Sequence, residues 1–272
     1  MGLWTVPAVD LRPDLVRERA DLLALLDGLT TREWHAPTAA PGWTVKDIAL
    51  HLLDDDLGWL SRDRDGDRAG LLDPSEYSTF VGALAAKNEA WIRGAQQLSA
   101  PVIGGLLRWT ATEMDRYYAS MDLMGEGFVV WASDEPVPLW FDIAQDLTER
   151  WVHQMQMREA VDKVGDYAAA YLPAVLTTFV WAFPHQYRAD APAGTQIGLD
   201  LAAGGTWTLA CDGRCRWALT AGAPVRPSAS IRASDEAGWR WLTGADTPAG
   251  GISWDGLDDL VRPLLDVRGI IV

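Results

Sequence analysis

The spacing of apolar residues changes once along the chain. Over residues 11–187 they recur at helical spacing, whereas over residues 196–232 they alternate with polar residues as in strands. Residues 188–194 contain the Pro, Gly and polar residues that are typical of a connector. The pattern therefore predicts two domains, residues 1–188 and residues 195–272.

The first region divides into helical segments separated by turn residues. Leucines at helical spacing predict a first helix that ends near Gly28, and Thr44 is a suitable N-cap for a second helix that carries His51. Further helices are predicted over residues 75–98, 102–121, 139–161 and 171–187, with a long irregular connection over residues 122–138. This order predicts a helical bundle.

The second region predicts a small antiparallel sheet with helices. Strands are expected over residues 196–201, 206–210 and 215–219, and Asp212-Gly213 is a turn signal between the last two. Residues 230–232 add a candidate strand, and helices predicted at 235–242 and 257–265 would cover one face. The fold class that follows is α+β.

The composition of the chain indicates which binding partners and which cellular compartment to expect. With 23 Lys+Arg against 38 Asp+Glu, the net charge is −15, which argues against nucleic acid or an anionic membrane as partner. No apolar run of membrane-spanning length and no leader-like N-terminus are present, so we expect a cytoplasmic protein. The cysteines Cys211 and Cys215 are then expected to be free thiols. The bias of the basic residues to arginine fits a GC-rich bacterial genome.

Glu149 and His153 are the most informative polar pair. They lie four residues apart on one predicted helix, so both side chains leave the same face and could bind one metal ion. His51 is the best candidate for a third ligand, and Asp55, one turn further on, ranks below it. Residues 54–56 are all aspartate, which more often indicates a solvated acidic helix face. Without further support, a chance spacing with a histidine that is satisfied at the surface or in the core is the commoner explanation.

Other familiar chemistry lacks support in this sequence. Hydrolase elbows, nucleotide-binding glycine loops and metalloprotease motifs are absent, and His35 and His185 have no ligand-type partner at helical spacing. The chain has 15 tryptophans, most of which should be core, although some could wall a pocket above the metal. Those closest to the candidate ligands in sequence or on neighbouring segments are Trp43, Trp59, Trp109, Trp131, Trp140 and Trp151.

Two motifs resemble one known family. The segment APGWTVKDIALHL (residues 40–52) and the segment ERWVH (residues 149–153) resemble, in this order, motifs of the mycothiol-dependent maleylpyruvate isomerase family of DinB-like bundles. The resemblance implies a DinB-like four-helix-type bundle over residues 1–188 and a sterol-carrier-protein-like α+β domain over 195–272. It also implies that His51, Glu149 and His153 hold zinc or another divalent metal.

The chain departs from the family pattern at one position and leaves another open. Gln156 stands where family members often have an aspartate three residues after the ligand histidine. The family's C-terminal domain contributes an arginine near the active site, and both Arg226 and Arg232 lie in the corresponding region. Arg232 is the preferred catalytic candidate; no residues are assigned to cofactor binding.

The resemblance implies a metal-dependent and mycothiol-dependent enzyme, an S-transferase or an isomerase. Its substrates would be a low-molecular-weight thiol and an electrophilic small molecule, and the reaction would proceed through a metal-bound thiolate. The competing hypothesis is a non-catalytic protein that binds a small molecule or a partner, with a structural metal or none. A protein side chain in the fourth coordination position would favour that alternative. The sequence leaves open the electrophile, the native metal and the oligomeric state.

Overall fold

Helices and strands follow one another in an α+β order in the computed structural model, which describes residues 2–68 and 79–270. The α-helices are α1 Arg12–Asp27, α2 Thr31–Trp34, α3 Val45–Gly58, α4 Phe80–Ala95, α5 Ala100–Ala119, α6 Trp140–Ala160, α7 Tyr167–Phe179, α8 Ala182–Gln186, α9 Asp235–Thr243 and α10 Asp258–Val261. The strands are β1 Glu126–Gly127, β2 Val137–Pro138, β3 Gln196–Asp200, β4 Thr206–Cys211, β5 Trp217–Ala221, β6 Ala229–Ala233 and β7 Ile252–Gly256. A π-helix, Trp59–Arg64, continues α3.

The helix predicted over residues 235–242 is confirmed as α9, whereas the one predicted over 257–265 is α10 followed by a 3₁₀ helix, Arg262–Asp266. The helices predicted in the first region are confirmed with two adjustments. The helix predicted over residues 171–187 breaks after Phe179 into α7 and α8. The helix predicted over residues 75–98 is described from Phe80 onward, and its predicted first residues, 75–78, lie outside the described residues. The connection predicted over residues 122–138 contains the two-stranded ladder of β1 and β2.

The chain divides into two compact units. The bundle unit comprises Arg12–Met121 and Arg150–Gly165, and the sheet unit comprises Met1–Leu11, Asp122–Glu149 and Asp166–Val272. Helix α6 runs through the point of division, and α7 and α8 group with the sheet. These units do not follow the predicted domain limits, which remain a prediction about regions that fold independently.

The core of the bundle unit is built from the apolar faces of its helices. Buried members include Leu22 and Leu26 on α1, Ile48 on α3, Leu107 on α5 and Met157 on α6. Apolar positions recur at three- and four-residue intervals, which places them on one side of each helix. The same packing keeps α3 and α6 at fixed positions within the bundle.

The sheet unit contains a five-stranded sheet in the order β5-β4-β3-β6-β7. The hairpin of β4 and β5 is confirmed, but the prediction of an antiparallel sheet is wrong for one pair, because β3 and β6 run parallel. β4 pairs with one edge of β3 and β6 pairs with the other edge. The connection from β5 to β6 therefore passes over β4 and β3. β7, which the sequence pattern did not predict, pairs with β6.

One helical stretch of the described residues is long and apolar enough to cross a membrane. It covers Tyr167–Gln186, with a mean hydropathy of 1.2, and 56% of its most apolar part is buried inside the protein. Core helices of folded proteins meet the same criteria, so the stretch is weak support for a membrane span.

Candidate metal site

Helix α3 begins at a well-defined cap that positions His51. The Thr44 side chain accepts a hydrogen bond from the Asp47 N–H, and the Asp47 carboxylate accepts one from the Thr44 N–H at 2.8 Å. This reciprocal capping box satisfies backbone donors that the first helical turn would otherwise leave unpaired. Gly42, with φ +79°, makes the turn that leads into the cap. His51 follows two turns into the helix and is buried.

The structure brings together the three residues predicted as metal ligands. Potential ligand atoms of His51, Glu149 and His153 all lie within 4.8 Å of one another. His51 lies on α3, whereas Glu149 and His153 lie one turn apart on α6. Both histidines are buried and Glu149 is half-buried. Two imidazole nitrogens and one carboxylate oxygen are a usual donor set for zinc, so these residues fit a divalent ion.

Gln156 orients the imidazole of His153. Its Oε1 lies 2.8 Å from Nδ1 of His153. An amide oxygen accepts a hydrogen bond from an N–H, so in the tautomer with the proton on Nδ1 this contact leaves the lone pair of Nε2 for an ion. The residue that departs from the family pattern therefore makes the contact that a metal-binding histidine requires.

Asp55 lies beside His51, and its neighbour Asp56 is buried. Oδ2 of Asp55 is 3.3 Å from Nε2 of His51, so this carboxylate can orient the imidazole. Asp56 is 1% exposed. The expectation of a solvated acidic face over residues 54–56 is therefore wrong, since Asp56 faces the bundle interior and the other two are half-buried.

Trp43 packs against both histidines of the site. Its ring centroid is 5.1 Å from that of His51 and 6.0 Å from that of His153, and the two histidine rings are 4.8 Å apart, edge to face. The indole thus limits the rotation of both imidazoles. The sequence placed Trp43 among the tryptophans near the candidate ligands, with the core as the expected location and the wall of a pocket above the metal as the alternative. Among the others named, Trp131, Trp140 and Trp151 are buried, and Trp109 is 49% exposed.

Arg232 lies in the sheet unit, on β6. Its guanidinium makes an ion pair with Asp255 at 2.5 Å, and its side chain is 51% exposed. It lines a shallow cavity of about 180 Å³ together with Asp200, Thr206 and Ser230. Its assignment as a catalytic residue stays a prediction. His35 is exposed, and His185 lies 3.8 Å from Asp134.

Comparison with known proteins assigns the family. The model of the family described as "Mycothiol maleylpyruvate isomerase N-terminal domain" matches residues 15–158, more than half of the chain, so the chain belongs to this family. The family is that of an isomerase, which makes it an enzyme family. Comparison with curated proteins gives no significant match.

Two similar solved structures share the fold. The crystal structure of the mycothiol-dependent maleylpyruvate isomerase aligns with a TM-score of 0.56 at 15% identity, covering 94% of this chain and 95% of that one. A histidine-to-alanine mutant of that enzyme aligns with a TM-score of 0.54 at 14% identity and the same coverage. At these identities the likeness establishes the fold.

Proposed function

We propose that this protein is a metal-dependent and mycothiol-dependent enzyme, an S-transferase or isomerase that acts on an electrophilic small molecule. The observation that carries the proposal is the convergence of His51, Glu149 and His153 within 4.8 Å. Membership of the isomerase family supports the thiol and the reaction class. The acidic composition and the apolar core are in keeping with a cytoplasmic enzyme.

The three ligands would hold the ion and leave part of its coordination sphere to a substrate. Two nitrogens and one oxygen suit zinc, and they also suit other divalent metals. When bound, such an ion lowers the pKa of a thiol that reaches it and so supplies a nucleophile at neutral pH. With the proton on Nδ1, the contact with Gln156 would leave Nε2 of His153 for the ion, and Trp43 packs against both imidazoles.

The two reaction types differ in the fate of the carbon–sulfur bond. An isomerase adds the thiol sulfur to an activated double bond, allows rotation about the resulting single bond and then breaks the carbon–sulfur bond. A transferase keeps the thiol on the product. Maleylpyruvate is the first electrophile to test, because it is the substrate in the name of the family.

Metal analysis of the purified protein tests the proposal at its first step. Plasma mass spectrometry should find about one equivalent of divalent metal per chain in the wild type, and His153→Ala should lose it. His35→Ala is the matched control, since it removes an exposed histidine outside the site and should retain the metal.

Turnover is the second step. With mycothiol present, the wild type and His35→Ala should convert maleylpyruvate, whereas His51→Ala and His153→Ala should be inactive. Metal-free wild type, even after incubation with zinc, would contradict the proposal and favour the non-catalytic binding protein.

A further inference from the structure

Six buried polar side chains of the bundle unit form one hydrogen-bonded network beside the site. They come from α1, α3, α5 and α6, and each is at most 2% exposed. We call them the buried charge network: Glu18, Arg19, Asp56, Thr110, Arg150 and Gln154.

Arg150 is the side chain that connects α6 to two other helices. Its Nε donates to Glu18 on α1 at 2.7 Å, and its Nη1 donates to Asp56 on α3 at 3.1 Å. Asp56 accepts two further hydrogen bonds, from Arg19 and from Thr110, both at 2.7 Å. Burial alone would raise the pKa of Asp56, but Arg19 and Arg150 outweigh it and hold that pKa below its usual range.

The network follows the site residues by one position in the sequence. Asp56 comes directly after Asp55, Arg150 directly after Glu149, and Gln154 directly after His153. Gln154 also belongs to the network, since its Nε2 donates to Glu18 at 2.6 Å. The contact between Arg150 and Asp56 therefore fixes the position of α6 against α3 next to the ligands themselves.

The buried charge network is expected to contribute little to the free energy of unfolding. Removing charges from water costs several kcal/mol per ion, and well-packed apolar residues often serve as well. In some proteins, buried polar and ionic groups instead fix a unique register between helices. The site depends on that register, because His51 comes from α3 while its partners come from α6.

We propose that Arg150, together with Glu18 and Asp56, is a positioning residue that sets the α3–α6 register at which His51 meets Glu149 and His153. The consequence for metal binding rests on the proposed function. The consequence for the histidine rings does not, because it concerns the protein without an ion.

The test replaces one buried ion pair by apolar residues of similar size. The variant is Glu18→Leu/Arg150→Met, which leaves the pair of Arg19 and Asp56 in place. The matched control is Asp27→Leu/Arg108→Met, which removes an exposed ion pair between α1 and α5. Urea unfolding confirms that each variant folds.

Two readouts follow on the folded variants. Zinc affinity is measured by competition with a chromophoric chelator. Contacts between the His51 and His153 rings are measured in metal-free protein by nuclear Overhauser effects after selective labelling of the four histidines.

The expected result distinguishes an effect on the α3–α6 register from an effect on the stability of the fold. Glu18→Leu/Arg150→Met should bind zinc at least about tenfold more weakly, as when other outer partners of metal ligands are removed, and should lose the ring-to-ring effect. The control should match the wild type in both readouts. Arg150→Lys should keep only part of the wild-type zinc affinity and ring-to-ring effect, because an ammonium cannot reach both carboxylates as the guanidinium fork does.

Two outcomes would overturn the inference. One is a folded Glu18→Leu/Arg150→Met with wild-type ring contacts. The other, if that variant does not fold, is an Arg150→Lys protein with wild-type ring contacts and zinc affinity. Wild-type protein that binds no zinc would refute the proposed function instead. The ring contacts would still test whether Arg150 sets the α3–α6 register, because they are measured without an ion.

Discussion

Gln156 gives His153 a neutral hydrogen-bond acceptor, whereas a carboxylate at this position would be a charged one. The amide oxygen 2.8 Å from Nδ1 holds the ring in place but pushes less electron density into it than a carboxylate would. His153 should therefore be a correctly oriented but weaker donor than a histidine paired with a carboxylate.

The metal affinity should depend on which side chain replaces Gln156. Gln156→Leu removes the acceptor, so zinc should bind about tenfold more weakly, whereas Gln156→Glu should bind at least as tightly as the wild type. Chelator competition at constant pH measures both. Equal affinity in Gln156→Leu and the wild type would show that the contact does not orient the ligand.

The three candidate ligands were predictable from the sequence, but their buried surroundings were not. Glu149 and His153 carry a helical spacing that depends on local geometry alone. Asp56 and Arg150 are charged residues at helix positions, and such positions ordinarily face solvent. Only the partners contributed by other helices, Glu18 and Arg19, explain why they are buried, and no local pattern contains that information.

The short helix α2 shows how one carboxylate can serve two elements. Glu33 completes the cap of Thr30, accepting from its N–H at 2.7 Å, and also lies 2.7 Å from Nζ of Lys163, beyond the end of α6. The hydrogen bond from Lys163, followed by those from Thr30, lowers the pKa of Glu33 from 4.5 to about 2.

This pKa predicts a pH-dependent effect of Glu33→Gln. A carboxylate with a depressed folded pKa stabilises the fold above its unfolded value of 4.5, and this contribution is lost as the pH falls towards 2. Glu33→Gln should therefore lower the urea midpoint at pH 7, and its difference from the wild type should shrink between pH 4.5 and 2. Glu89→Gln, in an exposed pair with Arg93, is the control. A difference that stays constant with pH would contradict the assignment.

At the level of elements, helices were easier to predict than the sheet. The spacing in α3, α5 and α6 follows from one buried face per helix, which a short window of sequence contains. The parallel pairing of β3 with β6 depends on which strand edge remains open after the β4–β5 hairpin has formed. β7 was missed because it lies at the sheet edge and its residues after Ile252 are exposed, so it has no alternating pattern.

The two units of the whole molecule are interleaved along the chain. The bundle unit needs residues 150–165 as well as 12–121, and α7 and α8 belong with the sheet. Phe179 on α7 and Phe183 on α8 are fully buried, and Phe183 packs against Trp241 of α9 at 5.6 Å.

A fragment that ends at the predicted domain boundary, residue 188, should therefore aggregate. Residues 1–188 lack the sheet and α9, so Leu176, Phe179 and Phe183 would be exposed to water, and we expect aggregation on size-exclusion chromatography. The full chain is the reference. A monodisperse, cooperatively unfolding fragment would instead support residues 1–188 as an independent domain.

The interleaving also sets the order in which the site can form during synthesis. His51 leaves the ribosome 98 residues before Glu149, which corresponds to about 5–20 s at ~5–20 residues per second. Throughout that interval the nascent chain presents a single histidine of the site and neither of its partners. The full set of candidate ligands is therefore available only once more than half of the chain has emerged.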